Sequence, residues 1–342
     1  MHRLIKDALA SVAGGGAARA LAAALACFDD DRPNVVRVLT YHRVDRPGAR
    51  PTLNPRLISA TPEGFAAQMA MLAARHPVVA LADVLAAARG AAALPARAVL
   101  VTFDDACLDF AEHAWPAMRR LGLPATVFVP TAYPDDPRRA FWWDRLYHAL
   151  WHGRFPGGLD AGGRRWPLAG EDDRRRAYDH LGRQVKALPH AAAMDLVDRV
   201  CAAAGLDGQG PEPAVMGWPA LRSLAAEGVA LAPHTRTHPL LQRVGAAEAE
   251  AEIAGSLADL AREVGAAPPA LAYPDGGHDA GTLAAARSAG IEVAFTTRSG
   301  VNRLDGLDAP GRLRLRRINV GRRVTPAVLR ARLVAWPLRH AG

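Results

Sequence analysis

The chain has 342 residues, half of them apolar, which suffices for one large domain or two ordinary ones around a sizeable hydrophobic core. Its formal net charge is +8, but nearly all the cations are arginines scattered along an alanine-rich chain, and such compositional bias argues against a nucleic-acid partner. The three cysteines share no clustered spacing, so neither a disulfide framework nor a cysteine metal site is indicated.

Residues 1–33 are expected to form an N-terminal helical extension. Basic and small residues are mixed there, and Gly14, Gly15, Gly16 and Arg19 interrupt the apolar stretch well short of a membrane span. The segment resembles a weak amphipathic helix more than a signal peptide, and no other segment reaches the length of a membrane-spanning helix. The sequence therefore predicts a cytoplasmic protein, either free or peripheral to the inner membrane.

Strand and helix patterns alternate along the rest of the chain. In chain order the sequence predicts strand Val35–Tyr41, helices Pro62–Arg75 and Leu81–Arg89, strand Ala98–Phe103, helix Ala111–Leu121, strand Ala125–Val129, helix Trp218–Glu227, strand Val229–Ala232, helix Ala246–Val264, strand Ala270–Tyr273, helix Thr282–Ala289, and strands Val293–Thr296 and Leu313–Val320. This order is typical of βαβ units with parallel strands. It favours a barrel-like α/β domain over an open sheet.

The interval from about residue 131 to 215 has a different pattern and is interpreted as a helical insertion on the C-terminal face of the barrel. Its aromatic, amphipathic stretch holds Trp142, Trp143, Tyr147 and Trp151. We expect these rings mainly to pack a small helical subdomain. The alternative is that Trp142 and Trp143 bind substrate by stacking on sugar rings.

The C-terminal stretch from Ala309 to Gly342 holds nine arginines and no acidic residue. A solvated basic face is one interpretation. The other is attraction to an anionic membrane surface or to a lipid-linked diphosphate. Residues 326–342 are assigned to a basic C-terminal tail, and the sequence does not indicate the oligomeric state.

Two adjacent carboxylates, Asp104 and Asp105, follow the buried strand Ala98–Phe103. Like charges repel, and burial raises the cost of ionising them, so a fold keeps such a pair where a cation compensates for the charge or where chemistry uses it. The rest of the sequence must supply that cation.

Two histidines have a matching position in the predicted fold. His234 and His238 follow the strand Val229–Ala232, and Pro233 and Pro239 on either side place them in a loop. Because the C-terminal ends of barrel strands meet at one rim, one aspartate and both histidines can converge on a single divalent ion. Two imidazoles and a carboxylate suit zinc or a similar metal and leave positions open for water and substrate, while the second aspartate stays free to act as a base.

Three motifs give the chain a resemblance to the polysaccharide deacetylases with a NodB-homology domain, carbohydrate esterase family 4. They are TFDD at Thr102–Asp105, HTRTHP at His234–Pro239 and AYPDGG at Ala272–Gly277. YHRV at Tyr41–Val44 and RINV at Arg317–Val320 are softer matches, found in exopolysaccharide-linked bacterial members. The resemblance covers most of residues 35–324 outside the insertion, and we assign a deacetylase barrel to residues 34–325.

The resemblance implies a distorted (β/α)7 barrel similar to a TIM barrel, a divalent metal, and removal of N-acetyl groups from glycans that contain N-acetylglucosamine. Zn²⁺ is the expected metal, with Co²⁺, Ni²⁺ or Mn²⁺ as alternatives. Carried over by motif, Asp104 is the general base. Asp105, His234 and His238 are the metal ligands. Tyr273 and Pro274 belong to the substrate groove, with a backbone amide for the oxyanion.

The chain departs from the family pattern at three points. Ala106 stands where the family usually has glycine, and no arginine opens the third motif to orient the catalytic aspartate. Arg317 is our candidate for that orienting role. A late histidine motif that would supply the general acid is also absent, so we assign the acid to His42 or, as the alternative, to His278.

The resulting function hypothesis is a metal-dependent deacetylase that acts on an N-acetylglucosamine-type polysaccharide or on its lipid-linked oligosaccharide precursor. A related C–N hydrolase of a small or lipid-linked sugar amide or formamide is the alternative, because the metal triad does not encode the leaving group. A catalytically inactive carbohydrate-binding protein is the third possibility.

Overall fold

The computed structural model describes residues 32–136, 139–206 and 208–335. The predicted N-terminal extension lies outside the described residues, except for its last two positions. The strands are β1 (Val35–Tyr41), β2 (Arg43–Val44), β3 (Ile58–Ala60), β4 (Ala98–Phe103), β5 (Thr126–Val129), β6 (Leu159–Ala161), β7 (Arg164–Trp166), β8 (Ala230–Pro233), β9 (Ala270–Ala272), β10 (Val293–Phe295), β11 (Asn302–Arg303) and β12 (Ile318–Asn319). The α-helices are α1 (Pro62–Ala73), α2 (Leu81–Ala88), α3 (Trp115–Arg120), α4 (Trp142–His152), α5 (Glu171–Ala187), α6 (His190–Ala203), α7 (Trp218–Ala226), α8 (Ala246–Val264), α9 (Ala280–Ser288), α10 (Ala309–Arg312) and α11 (Pro326–Ala335).

The largest sheet has the strand order β11-β1-β4-β5-β8, with β12 also paired to β1. Every pair in it is parallel except β11 with β1. All residues of β1 and β4 are buried, as expected for parallel strands covered by helices on both faces. The predicted α/β class is therefore confirmed, with a mostly parallel sheet surrounded by helices.

The strand predicted at 313–320 is shorter than expected because the segment changes partners. The N–H of Leu315 donates to the carbonyl of Ala294 in β10, whereas the N–H of Val320 donates to the carbonyl of Thr40 in β1. Only Ile318–Asn319 forms a strand. The segment thus connects the β9–β10 pair to the main sheet. Arg317 directly precedes the short strand, and its side chain reaches Asp104 at the end of β4.

The insertion has a hydrophobic core of its own. Helices α4, α5 and α6 pack around Leu146, Leu150, Leu181 and Val197, and a β6–β7 hairpin that the sequence analysis did not predict covers one side. Tyr147 and Trp151 stack on each other within this cluster, with ring centroids 4.6 Å apart. Packing therefore accounts for these two aromatic residues.

The segment predicted as a basic tail begins with helix α11, which packs against α1. Leu329 and Leu333 are fully buried in the same core as Phe65 and Met69 of α1. Arg339 lies outside the described residues. Among the described residues, none of the helices is both long and apolar enough to cross a membrane.

Candidate active site

The two adjacent aspartates lie at a sharp turn after β4. The N–H of Asp104 still donates to the carbonyl of Tyr41 in β1, and then Asp105 and Ala106 adopt left-handed backbone angles, with φ of 71° and 49°. This conformation costs a non-glycine residue about 1–2 kcal/mol, so Ala106 takes at some cost the position where the family usually has glycine. The turn lets both buried carboxylates reach the rim of the sheet in different directions.

Asp104 is held by Arg317. The guanidinium donates from Nη1 and Nη2 to the two oxygens of the Asp104 carboxylate, both at 2.8 Å, and from Nε to the carbonyl of Thr296 at 2.8 Å. Both side chains are almost completely buried. Burial alone would raise the pKa of Asp104, but the nearby guanidinium outweighs it and holds the pKa far below its usual range. Asp104 is therefore an ionised, fixed carboxylate.

Asp105 lies on the other side of the turn and meets both histidines. Its Oδ1 is 3.5 Å from His234 Nε2 and 3.4 Å from His238 Nε2, and the two Nε2 atoms are 3.2 Å apart. All three side chains are buried. Asp105 Oδ1 has no hydrogen-bond partner among the described residues. Asp105 Oδ1 and the two Nε2 atoms thus form a nearly equilateral triangle.

The Nε2 atoms of both histidines face Asp105, where a cation would bind. The Nδ1 of His234 lies 2.7 Å from the carbonyl oxygen of Ala272, a distance that assigns a proton to Nδ1. Burial opposes the charged form of His234, but its hydrogen bond to Asp105 and the nearby carboxylates outweigh burial and raise its pKa, so a bound metal would take the place of the proton on Nε2. Burial, reinforced by His234, lowers the pKa of His238 to about 3, so His238 is a neutral imidazole at pH 7. Neutral imidazole is the form that binds metal ions.

These residues fit a divalent ion. Atoms that bind Zn²⁺ tetrahedrally at about 2.0–2.1 Å lie about 3.3 Å from one another, which matches the spacing of the triangle. The set of two imidazoles and one carboxylate is typical of a catalytic zinc site. Among the described residues, Asp105, His234 and His238 are the group whose donor atoms are suited to hold a metal.

The loop that carries both histidines is fixed by α8. The carboxylate of Glu252 accepts the backbone N–H groups of Arg236 and Thr237, both at 2.8 Å, as well as the Thr237 hydroxyl. The hydroxyl of Thr235 accepts the N–H of His238. Glu252 is a residue that the sequence analysis missed. It carries no motif signal, because an acidic residue in a helix is most often a solvated one.

The insertion contributes an aromatic wall to the site. The ring of His238 lies edge-on to Phe141 and Trp143, at centroid distances of 5.3 and 5.2 Å. Phe141 and Trp143 stack on each other at 4.4 Å. Trp142 and Trp143 both line the adjoining groove. The insertion is therefore part of the site and supports one of the two histidines.

An open groove of about 670 Å³ contains the aspartates and histidines. Its far wall comes from α5, which contributes Tyr178, Arg183 and Lys186. The Lys186 ammonium pairs with Asp275, so this ion pair connects the insertion to the turn after β9. Sequence reasoning missed the α5 residues because nothing in the sequence shows which face of that helix turns toward the groove.

Two residues expected in the groove are located elsewhere. The side chain of Tyr273 is fully buried, its hydroxyl donates to the carbonyl of Leu313, and its N–H donates to the carbonyl of Phe295. Neither group is free for a glycan or an oxyanion. Pro274 is buried and does not line the groove. These two assignments need correction: the neighbouring Asp275 lines the groove instead.

The two candidates for the general acid are separated by the structure. His42 follows β1 and lines the groove beside Asp104 and Asp105. His278 is outside this groove, where it stacks on Tyr273 with its Nδ1 near the carbonyl of Gly276. Only His42 of the two is placed to exchange a proton with a group bound in the groove.

Comparisons with known proteins agree with this arrangement. The sequence model of a family described as polysaccharide deacetylase matches residues 91–294. The deacetylase PplD of Streptococcus pyogenes, solved in complex with acetate, is 19% identical with a TM-score of 0.58 over 87% of this chain and 97% of that chain. IcaB from Ammonifex degensii is 19% identical with a TM-score of 0.56, over 88% of this chain and 98% of that chain.

The BpsB deacetylase domain of Bordetella bronchiseptica is 17% identical with a TM-score of 0.52, over 86% of this chain and 98% of that domain. At such identities the three likenesses establish a shared fold. No curated protein gives a significant sequence match to this chain.

Proposed function

The chain belongs to the polysaccharide deacetylase family, and on that basis we propose that it hydrolyses the N-acetyl groups of an N-acetylglucosamine-type glycan with the help of a divalent metal ion. The observation that carries the proposal is the buried triangle of Asp105, His234 and His238 beside the Asp104–Arg317 pair. The triangle of Asp105, His234 and His238 is suited to bind a cation. The Asp104–Arg317 pair supplies an ionised carboxylate that does not belong to the triangle.

Asp105, His234 and His238 would hold the metal, with Zn²⁺ the expected ion and Co²⁺, Ni²⁺ or Mn²⁺ as alternatives. When bound, the ion would supply Lewis acidity, which polarises the acetamide carbonyl and lowers the pKa of water. The remaining steps fall to residues of this chain. The aromatic wall of Phe141 and Trp143 shields the cluster on one side and keeps His238 in place.

Asp104 is the proposed general base. It accepts the proton of the attacking water, and Arg317 keeps the carboxylate ionised and correctly oriented. The same arginine weakens Asp104 as a base, because a carboxylate with a very low pKa holds a proton poorly. We therefore assign Arg317 the orienting role, as a positioning residue that acts through Asp104.

His42 is the proposed general acid. Hydrolysis of an acetamide releases acetate and an amine, and the amine needs a proton as the C–N bond breaks. His42 lies in the groove on the β1 side of the aspartates and its backbone N–H is anchored by the Ser59 hydroxyl. It is therefore placed to give that proton without belonging to the metal triangle.

The dimensions of the groove favour a glycan over a small amide. A cavity of about 670 Å³ that is open at the surface and bordered by Trp142, Trp143 and Tyr178 has space and aromatic surface for more than one sugar ring. The polymer, its linkage and a lipid-linked form of the substrate are open to direct tests. A cytoplasmic location, peripheral to the membrane, is likewise a proposal that cell fractionation would test.

The decisive experiment measures metal content and initial rates side by side for the wild type and four variants. Asp105→Asn, His234→Ala and His238→Ala are expected to lose metal and activity together, since each removes a ligand. Asp104→Asn should keep near-normal metal while the rate on an N-acetylated oligosaccharide falls by about two to four orders of magnitude. An active Asp104→Asn enzyme, or a metal-replete Asp105→Asn enzyme, would show that the roles are assigned wrongly.

A further inference from the structure

A second groove adjoins the catalytic groove and shares Asn319 with it. It encloses about 510 Å³ and is lined by the segment 55–58, by the loop after β12 and by α11. Four of its lining residues are arginines, and none is acidic: Arg56, Arg322, Arg323 and Arg332. A concave surface with four guanidinium groups and no carboxylate has the electrostatics of an anion site.

Two of these arginines have no ionic partner in the part of the chain that the structure describes. Arg322 and Arg323 are exposed, and neither forms an ion pair with any carboxylate of residues 32–136, 139–206 and 208–335. Arg56 does pair with Asp179 of α5. Among the described residues, the groove therefore keeps positive charge that no carboxylate neutralises.

Arg332 adds a partly buried cation to the same place. Its Nη1 donates to the backbone carbonyl of Asn319 at 3.1 Å, which fixes the guanidinium at the boundary between the two grooves. Burial lowers the pKa of Arg332, and no described carboxylate compensates for it. A bound anion would supply the missing opposite charge.

The position of Asn319 connects this charge to the reacting centre. Asn319 lies two residues after Arg317, whose guanidinium holds Asp104. Asn319 itself lines both the catalytic groove and the basic groove. The segment 54–58 also separates the grooves, with Asn54 and Leu57 on the catalytic side and Arg56 on the basic side. One extended ligand can therefore enter both grooves.

This inference rests on the proposed function. We propose that the basic groove is a subsite for a phosphate or diphosphate group carried by the sugar substrate, so that the enzyme prefers a phosphorylated N-acetylated saccharide. Guanidinium groups bind phosphate with paired, charge-assisted hydrogen bonds. A diphosphate that links the saccharide to a lipid and a phosphate within the glycan share this chemistry.

The first test measures binding alone. Isothermal titration calorimetry with inorganic pyrophosphate would compare the wild type with Arg322→Gln/Arg323→Gln and with a control, Arg75→Gln/Arg120→Gln, which removes the same net charge from exposed positions outside both grooves. We expect the dissociation constant to rise at least tenfold in the first variant and to stay within about twofold in the control. An equal loss of pyrophosphate affinity in both variants would show that only the net charge matters, and it would overturn the proposal.

The second test measures substrate preference. The ratio of kcat/KM for an N-acetylglucosamine oligosaccharide diphosphate to that for the unphosphorylated oligosaccharide should exceed one in the wild type. It should fall about 10- to 100-fold in Arg322→Gln/Arg323→Gln and remain unchanged in the control. A wild-type ratio of one would overturn the proposal. Failure to deacetylate either substrate would instead contradict the proposed function, and the pyrophosphate titration would then decide whether the basic groove binds phosphate groups.

Sedimentation with anionic phosphatidylglycerol vesicles separates the substrate from a membrane surface. If the subsite serves a substrate, soluble pyrophosphate at saturating concentration should not displace the protein from vesicles, and the Arg322→Gln/Arg323→Gln change should leave sedimentation within about twofold of the control. Loss of vesicle binding in that variant, without a change in the substrate ratio, would assign these arginines to the membrane and not to substrate.

Discussion

At the scale of single residues, the Asp104–Arg317 pair is the most consequential contact in the molecule. It joins positions 213 residues apart in the chain and is buried on both sides. A buried carboxylate that loses its cation is an uncompensated charge, and this costs about 3–5 kcal/mol. Both stability and the ionised state of the base therefore depend on this arginine.

We expect Arg317→Met to lower the free energy of unfolding by about 3–5 kcal/mol and to reduce kcat at least a hundredfold, while metal binding persists. Arg317→Lys should restore the charge but not the paired geometry, and thus recover only part of the rate. Urea unfolding, metal analysis and initial rates measure the three quantities. A double-mutant cycle with Asp104→Asn supplies the control: if the two losses simply add, the residues do not act as a pair.

At the scale of secondary-structure elements, helix α4 serves both the core of the insertion and the site. The ring of Trp143 lies against His238, whereas the ring of Trp142 lines the groove and lies edge-on to Trp143. Neighbouring tryptophans on one helix thus have different surroundings. This difference predicts different consequences for their removal.

Trp142→Ala should lower the ratio of kcat/KM on an N-acetylated oligosaccharide to that on a small acetyl ester by about tenfold, because it removes a stacking surface for a sugar ring. Trp143→Ala should also lower metal affinity, because His238 loses its support. Trp151→Ala is the matched control, since Trp151 packs inside the insertion. An oligosaccharide-to-ester ratio that is the same for all three variants, with lower thermal stability, would show that these rings only pack.

Helix α4 also carries a buried acid, Asp144, which accepts the N–H of Asn54 at 2.8 Å. Burial raises its pKa to about 7, although the Asn54 N–H and the Arg43 guanidinium oppose the shift and Asp105 adds to it. Between about pH 4 and pH 7, the Asp144 carboxyl therefore keeps its proton in the folded protein, whereas it is ionised in the unfolded chain. Linkage then makes stability fall as the pH rises through this interval, with the full penalty present above pH 7.

We expect Asp144→Asn to remove this part of the pH dependence, since the carboxamide oxygen can still accept the Asn54 N–H. Between pH 5 and pH 8, the free energy of unfolding of the variant should rise relative to that of the wild type by on the order of 1–4 kcal/mol. Urea unfolding at the two pH values measures the gain. The exposed Asp195→Asn provides the comparison, and an equal response of both variants would mean that Asp144 is already ionised in the folded protein.

For the molecule as a unit, the hydrophobic core around the main sheet extends beyond the domain boundary expected from the sequence. Helix α11 buries Leu329 and Leu333 against α1, and the backbone carbonyl of Leu333 accepts a hydrogen bond from the buried Arg37 in β1. A chain cut after residue 325 would lose this contact and expose the apolar face of α1. The last helix therefore acts as part of the domain and not as an appendage.

Leu329→Ala should accordingly cost about 2–5 kcal/mol of folding stability, the usual range for a leucine removed from a packed core. Arg330→Gln, on the neighbouring residue, should stay within about 0.5 kcal/mol of the wild type. Urea denaturation measures both. A cost for Leu329→Ala below 1 kcal/mol would support the boundary at residue 325 and assign α11 to a dispensable tail.

Much of the fold, and the grouping of Asp105, His234 and His238, was predictable from the sequence because these features are encoded locally. Apolar runs ending at Phe103 and Ala232 define buried strands, and the polar residues that follow them must come to the same rim of a parallel sheet. Ala106 also shows the limit of such reasoning, since a missing glycine did not prevent the left-handed turn. The surrounding packing outweighs a local cost of about 1–2 kcal/mol.

Other features depended on contacts between distant segments, which sequence patterns do not encode. The sequence around a tyrosine does not show whether its side chain faces a groove or the core. Tyr273 is buried in a cluster built from distant segments, with Leu241, Ile253 and Leu313 among its members. The choice of His42 over His278, the approach of Trp143 to His238 and the gathering of Arg56, Arg322 and Arg332 around one groove were decided in the same way. The amino-acid sequence specifies which chemical groups the protein possesses. Tertiary packing brings particular groups together, because exposure and proximity are properties of the complete fold.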